Sequence, residues 1–262
     1  MTKALIFDCD GVLADTERDG HLVAFNKMWR ENGIDWQWSV DQYAEKLKIG
    51  GGKERMFSLG QDDDFRTVYD VPESQDEWWE TVASWHKRKS EIYKDLIASG
   101  ALPGRPGVKR LAEEAYKEGW TLVVCSTSAL SSVEAVLYHV MGDETAANFA
   151  GVFAGDMVKA KKPAPDIYNL AVEHLGLIPS DCVVVEDSRN GLLAANAAGM
   201  RTVVTFNQIT QGEDFSEAAI VVSSLGDPGG EQTIVTENHS AADPQGYVSV
   251  ADLQAIVTGG WK

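Results

Sequence analysis

Residues 3–17 read KALIFDCDGVLADTE. An apolar run from Ala4 to Phe7 goes straight into Asp8, Cys9, Asp10 and Gly11. Such a run bounded by polar residues fits a short buried strand, yet it ends on two acids. A solvated turn accounts for acids and a glycine at one place. The same ending recurs further along: TLVVC (121–125) runs into Ser126, and CVVV (182–185) into Glu186 and Asp187. In an open parallel sheet, ligands bind outside the carboxyl ends of the strands. These groups are therefore expected to converge on one crevice.

Between the strands lie helical patterns. VKRLAEEAYKEG is amphipathic, a helix follows from about residue 132, and PDIYNLAVEHLG and LLAANAAGM are further helices. VFAGDMV (152–158), RTVVTF and AAIVVSSL read as strands. Short apolar strands alternating with helices mean crossover units and a mainly parallel sheet. After the first strand comes a long helical stretch. His21–Asn32 carries Leu22, Phe25, Met28 and Trp29 at helical spacing. A second helix carries Trp78, Trp79, Val82, Trp85 and Ile92 towards Gly100. Between them IGGGKERM (49–56) reads as a glycine-rich loop with two cations. The expected fold is α/β, a Rossmann-like parallel-sheet core with an inserted α-helical cap domain. Residues 1–16 and 101–262 form the core and 17–100 the cap, with Pro103, Gly104, Pro106 and Gly107 marking the return. From about Gly226 the chain is expected to be a surface extension.

Composition narrows the function. With 262 residues, 44% of them hydrophobic and 24% charged, the chain can bury a sizeable core. A formal net charge of −17 argues against nucleic-acid or anionic-membrane partners, which need a positive face. Cys9, Cys125 and Cys182 are odd in number, lack CxxC spacing and sit in or beside apolar runs, so reduced, buried thiols are expected. No apolar stretch approaches the ~20 residues of a membrane span. The first strand begins at residue 4, which leaves no room for a signal peptide, so a cytoplasmic location is expected, with a monomer as the default.

The acids have their own logic. Side chains two apart in extended chain point the same way, so Asp8 and Asp10 can face one atom. Four clustered carboxylates (Asp8, Asp10, Glu186, Asp187) repel one another unless a cation sits among them, and an oxygen-only donor set suits Mg2+. One acid can then be a nucleophile and its neighbour a general acid. Ser126 is open to either of two roles, a helix N-cap or a ligand. Lys162, next to Lys161, is open to solvent or to the site.

DCDGVLADTE, VVCSTS, KKPAPDIY and VVVEDSRNGLLAANAAGM resemble the four motifs of the haloacid-dehalogenase-like phosphohydrolases, in the branch whose helical cap follows the first strand. The resemblance implies that Asp8 attacks phosphorus to give an aspartyl-phosphate. Asp10 would protonate the leaving oxygen and then activate water. Ser126 would bind a phosphoryl oxygen, and Lys162, directly before Pro-Ala-Pro-Asp, would neutralise the transferring group. Asp187, with Glu186, Asp8 and the Asp10 backbone carbonyl, would hold Mg2+. An aspartate at position 10 favours phosphate esters, because the dehalogenases and phosphonate-cleaving relatives lack it.

IGGGKERM, WHKRKSEIY, PGRPGVKRL and GDPGG…GYVSVADL resemble the CbbY proteins, which hydrolyse xylulose-1,5-bisphosphate. That resemblance implies a small phosphorylated sugar as the partner. Lys53, Lys89 and Arg105 would anchor its second phosphate, together with backbone N–H groups of Gly51 and Gly52. Glu17 would bind sugar hydroxyls, and Ser126, Thr127 and Ser128 would line the phosphate site. His21 is given no catalytic role, since one extra residue precedes it relative to CbbY sequences. The alternatives are a β-phosphoglucomutase-like phosphoryl transferase, a broad-range sugar-phosphate phosphatase and a non-catalytic phosphosugar-binding protein.

Overall fold

The computed structural model describes residues 3–49 and 51–259. The chain divides into two units, Thr16–Leu102 and the flanking Met1–Asp15 with Pro103–Lys262. Strand β1 (Ala4–Phe7) opens the second of these.

The inserted unit is helical. A π-helical turn, Thr16–Leu22, precedes α1 (Val23–Glu31), where one continuous helix over His21–Asn32 was expected. Then come α2 (Val40–Leu47), α3 (Gly52–Phe57), α4 (Asp63–Val68) and the long α5 (Gln75–Ala98). The expected glycine-rich loop thus turns into a helix at Gly52; Gly50 lies outside the described residues. On α5 the buried positions Trp78, Val82, Trp85, Lys89 and Ile92 follow steps of four and three, the stripe of a packed helix. Aromatic rings fill the interior. Phe25, Trp29, Trp38 and Tyr43 interlock with centroids 4.6–5.9 Å apart, and Phe65, Tyr69, Trp78 and Trp85 form a second set.

The flanking unit continues with α6 (Val108–Lys117), β2 (Thr121–Cys125), α7 (Leu130–Ala146), β3 (Phe149–Phe153), α8 (Asp166–Leu175), β4 (Cys182–Glu186), α9 (Arg189–Ala197) and β5 (Arg201–Thr205). It ends with β6 (Ile220–Val222), β7 (Val235–Asn238) and α10 (Val250–Thr258). The sheet order is β3-β2-β1-β4-β5-β6-β7, parallel except for β7. β1 is an interior strand and wholly buried, and each of its large aliphatic side chains contributes roughly 1.5–3 kcal/mol by leaving water. Ala4, Ile6, Val123 and Val184 pack on Ile167, Tyr168 and Ala171 of α8 and on Ala194 and Ala195 of α9. In register, Phe7 stands opposite both Val124 and Val185. One residue further, the Asp8 N–H donates to the Val185 carbonyl at 3.0 Å. The strand ends of β1, β2 and β4 are therefore level.

Two expectations are corrected. The strand expected at 152–158 lies earlier, at Phe149–Phe153, and the chain beyond it is loop. Ala150 and Gly151 had masked its start, and the turn at Gly155–Asp156 leaves no room for its end. The tail, expected as a surface extension, is also an integral part of the fold. β7 closes the sheet edge, and α10 buries Val250, Leu253 and Ile256 at helical spacing against β4 and α6. A capping box of Ser249 and Asp252 starts that helix. Arg110 of α6 ties the tail down, donating to the carbonyls of Leu225, Gly226 and Val248 and lying over the Tyr247 ring. No helix among the described residues is long and apolar enough to cross a membrane.

Candidate active site

Asp8 leaves the end of β1 into a buried cluster. The Lys162 ammonium, from the loop after β3, lies 2.6 Å from Asp8 Oδ1, 2.6 Å from Glu186 Oε1 and 2.9 Å from the Cys125 carbonyl. Three acceptors thus use the three N–H bonds of one ammonium. Glu186 Oε1 also accepts from the Tyr168 hydroxyl at 2.5 Å, and Glu186 is 1% exposed. Asp8, Glu186 and Asp187 each bring a carboxylate oxygen within 4.8 Å of the others. Lys162 sits within a ring's reach of Tyr168, 5.0 Å from its centroid.

Ionised together, the three buried carboxylates would exceed the one ammonium by two negative charges. Burial pushes the Asp8 carboxyl up to about 7 against the pull of Lys162, with Glu186 and Asp10 adding to the rise. Burial, then Glu186 and Asp8, push Asp187 up as well. Burial alone would lower Lys162, but Asp8 and Glu186 outweigh it and hold the ammonium charged. An all-oxygen trio with two surplus charges fits a divalent cation, with Asp8, Glu186 and Asp187 as side-chain ligands.

A pH dependence follows. Asp8 binds its proton more tightly folded than unfolded, so the stability this confers is complete below about 4 and lost as pH rises through about 7. A divalent cation competes with that proton. The rise in Tm on adding the cation to chelator-treated protein should be small near pH 5 and grow through about pH 8. Melting curves with and without cation check this; an equal rise at all pH values would mean the acids are ionised throughout.

Asp10 stands apart from the trio. Its carboxylate accepts from the Ser128 hydroxyl. Ser128 is held in turn, its N–H donating to Ser126 Oγ at 3.1 Å and its carbonyl accepting from the Gly155 N–H at 2.9 Å. A side chain at Gly155 would strike the Thr127 backbone, which lies 2.0 Å from the position of a Cβ. Ser126 is 1% exposed and does not cap α7, whose N-cap is Ala129. Ser188 caps α9.

Asp187 has a partner that the sequence motifs do not contain. Asn207, just beyond β5, donates from Nδ2 to Asp187 Oδ2 at 2.8 Å. The same oxygen lies 2.0 Å from where a Cβ at Gly11 would be, and Gly11 has a φ of +81°. Only glycine meets both conditions at that position. Tyr168 and Asn207 were both missed in the sequence. Tyr168 lies inside the KKPAPDIY motif, and Asn207 ends an apolar strand just as Asp8 and Ser126 do.

Arg105 requires a correction. Expected as a phosphate anchor, its guanidinium points into the fold. Nη1 donates to the carbonyls of Gly11 and of Thr205 (2.7 Å), and Nη2 to those of Phe206 (2.7 Å) and Ser223 (2.9 Å). Bidentate phosphate capture needs a pair of these donors, and backbone oxygens hold them.

In the helical unit, Glu17 accepts from the Tyr43 hydroxyl at 2.6 Å, and Arg55 donates to the same hydroxyl at 3.1 Å. Lys89 is 6% exposed, with its ammonium 2.8 Å from His21 Nδ1 and 4.6 Å from the Phe25 ring centroid. Burial, then Lys89, keep His21 well below the usual imidazole range, so it is neutral. Gly51 has a φ of +95° and precedes α3, where Lys53 is partly buried. A cavity of about 530 Å³ in this unit, lined in part by Phe57, Val71, Trp78 and Trp79, includes none of the expected substrate residues.

The haloacid dehalogenase-like hydrolase family profile matches residues 2–199. The chain belongs to the haloacid dehalogenase-like hydrolases. Within that family it is similar to the CBBY-like protein of Arabidopsis thaliana, 47% identical over 87% of this chain and 70% of that one. It is 40% identical to the plasmid CbbY of Cupriavidus necator, over 86% and 87% of the two chains. A variant of CbbY from Rhodobacter sphaeroides, crystallised with xylulose-1,5-bisphosphate, superposes with a TM-score of 0.71. It is 37% identical and covers 86% of this chain and 95% of that one. This hydrolase is a CbbY-like phosphatase.

Proposed function

We propose that this hydrolase uses Mg2+ to cleave phosphorylated sugars and that its substrate is xylulose-1,5-bisphosphate, released as xylulose 5-phosphate and phosphate. The carrying observation is the buried cluster in which Lys162 bridges Asp8 and Glu186 beside Asp187. The ligand held by the Rhodobacter CbbY supports the choice of sugar.

The residues divide the work as follows. Asp8 Oδ attacks phosphorus as the bond from phosphorus to the sugar oxygen breaks. Asp10 gives that oxygen its proton, then takes one from the water that attacks phosphorus and frees Asp8. Lys162 and Ser126 offset charge on the phosphoryl oxygens. Asp8, Glu186, Asp187 and the Asp10 carbonyl would hold Mg2+, which would supply further charge neutralisation. Thr127 and Ser128 line the phosphate site. Lys53, Lys89 and the N–H groups of Gly51 and Gly52 serve the second phosphate, and Glu17 the sugar hydroxyls. The enzyme works as a monomer in the cytoplasm, a setting that suits its three free, buried cysteines.

A phosphate-release screen with Mg2+ over ketose bisphosphates, hexose phosphates and phosphoglycolate tests the reading. Xylulose-1,5-bisphosphate should be turned over well above the rest; interconversion of glucose phosphates without phosphate release would point to a mutase instead. Lys53→Ala should raise KM for the bisphosphate about tenfold, the loss of one charge-assisted hydrogen bond, and leave a monophosphate nearly unchanged. Equal effects on both substrates would remove Lys53 from this role.

A further inference from the structure

The loop after β5 carries no family motif, yet it reaches the acid cluster at one atom. Asn207 is 9% exposed, and its side-chain amide is oriented by the loop itself. Its Oδ1 accepts from the N–H groups of Ile209 (2.8 Å) and Thr210 (3.1 Å). With the oxygen so used, Nδ2 is the end that faces Asp187 Oδ2. Reversing the amide would break two bonds and set oxygen against oxygen.

The loop is secured on both sides of this residue. Behind it, the Asn207 N–H donates to Thr210 Oγ1 at 3.1 Å, while its carbonyl accepts from the Thr210 and Gln211 N–H groups. Ahead of it, Arg105 grips the carbonyls of Thr205 and Phe206, and the Phe206 N–H donates to Val222. Arg105 also holds the Gly11 carbonyl, and Gly11 is the residue whose missing side chain leaves room for Asp187 Oδ2. The Asp187 carboxylate is thus confined between Gly11 on one side and an amide donor of fixed direction on the other.

We infer that Asn207 is a positioning residue for the cation, acting through Asp187: its amide holds the carboxylate in the orientation that ligates, and Arg105 holds the loop that presents the amide. The inference rests on the trio of Asp8, Glu186 and Asp187 being a divalent-cation site. Ligands held by outer partners in this way typically lose ten- to a hundredfold in metal affinity when the partner is removed.

The test measures Mn2+ binding to the full chain by electron paramagnetic resonance, after chelator treatment, for the parent, Asn207→Ala and Asn207→Ser. The serine hydroxyl can still accept from the backbone two residues on, which keeps the turn, but it is too short to reach Asp187. Both variants should bind Mn2+ roughly 10- to 100-fold more weakly than the parent, with the metal-free Tm of Asn207→Ser close to the parent's. Variants that bind Mn2+ like the parent overturn the inference, even if their Tm falls, because the amide would then serve the turn alone. A parent that takes up no Mn2+ overturns the cation site itself and the inference with it.

Discussion

Asp8→Asn should abolish phosphate release and leave the protein folded. The amide keeps an oxygen for Lys162 but cannot form the aspartyl-phosphate, so turnover should fall by at least about 10⁴, or ~5.5 kcal/mol in the barrier. Stability should move the other way. Burial holds the Asp8 carboxyl up to about 7, a sign that its charge is unwelcome there without a cation. Removing that charge relieves repulsion with Glu186 and Asp10, so the metal-free variant should melt at or above the parent's temperature near pH 8. This is the trade between activity and stability expected of a site built from like charges. Phosphate assay and thermal melts on the same preparation decide it: retained turnover would refute the nucleophile, and a collapsed melt would make the loss uninformative about chemistry.

Lys162→Met should be costly to both fold and function. The ammonium is the shared partner of two buried carboxylates, and removing one member of a buried ion pair typically costs about 3–5 kcal/mol. Rising pH deepens the loss, because the Asp8 carboxyl, pushed up to about 7 by burial, would then ionise with no ammonium beside it. A divalent cation should return part of this stability, since it meets the same charges. It should not restore catalysis, where removing one electrostatic stabiliser of the transferring group is worth roughly 10²–10³ in kcat. Urea titrations with and without Mg2+, read against kcat, separate the two effects. Wild-type kcat in the methionine variant would remove Lys162 from the chemistry and leave it a structural cation. Arginine should not rescue, because the Tyr168 ring stands 5.0 Å from the ammonium and the guanidinium is broader.

The sheet was legible because β1, β2 and β4 are continuous apolar runs with abrupt polar ends, the pattern that burial on both faces imposes. The cluster was legible for the same reason, since level strand ends bring Asp8, Ser126, Glu186 and Asp187 to one edge. What escaped were groups whose partners are remote in sequence. Arg105 looked like a phosphate anchor since nothing local revealed that four distant carbonyls converge on it. Lys89 sits on the buried stripe of α5, but it was read as a phosphate anchor, and only the fold brings His21 and Phe25 around it. Asn207 obeys the strand-end rule used for the other residues, but a neutral amide draws less attention than an acid. The tail misled through its glycines and prolines, which hid the period of Val250, Leu253 and Ile256.

That tail bears on where the protein can be cut. The family profile stops at residue 199, and a fragment trimmed there would retain every acid of the cluster on paper. It would lack β5 through β7 and α10, so the strand bearing Glu186 would become a raw sheet edge, stripped of the helix that covers it. Unpaired apolar edges invite self-association. The family profile and the packed sheet thus end at different residues, and anyone shortening this enzyme or grafting its active site elsewhere should carry residues 200–262 along.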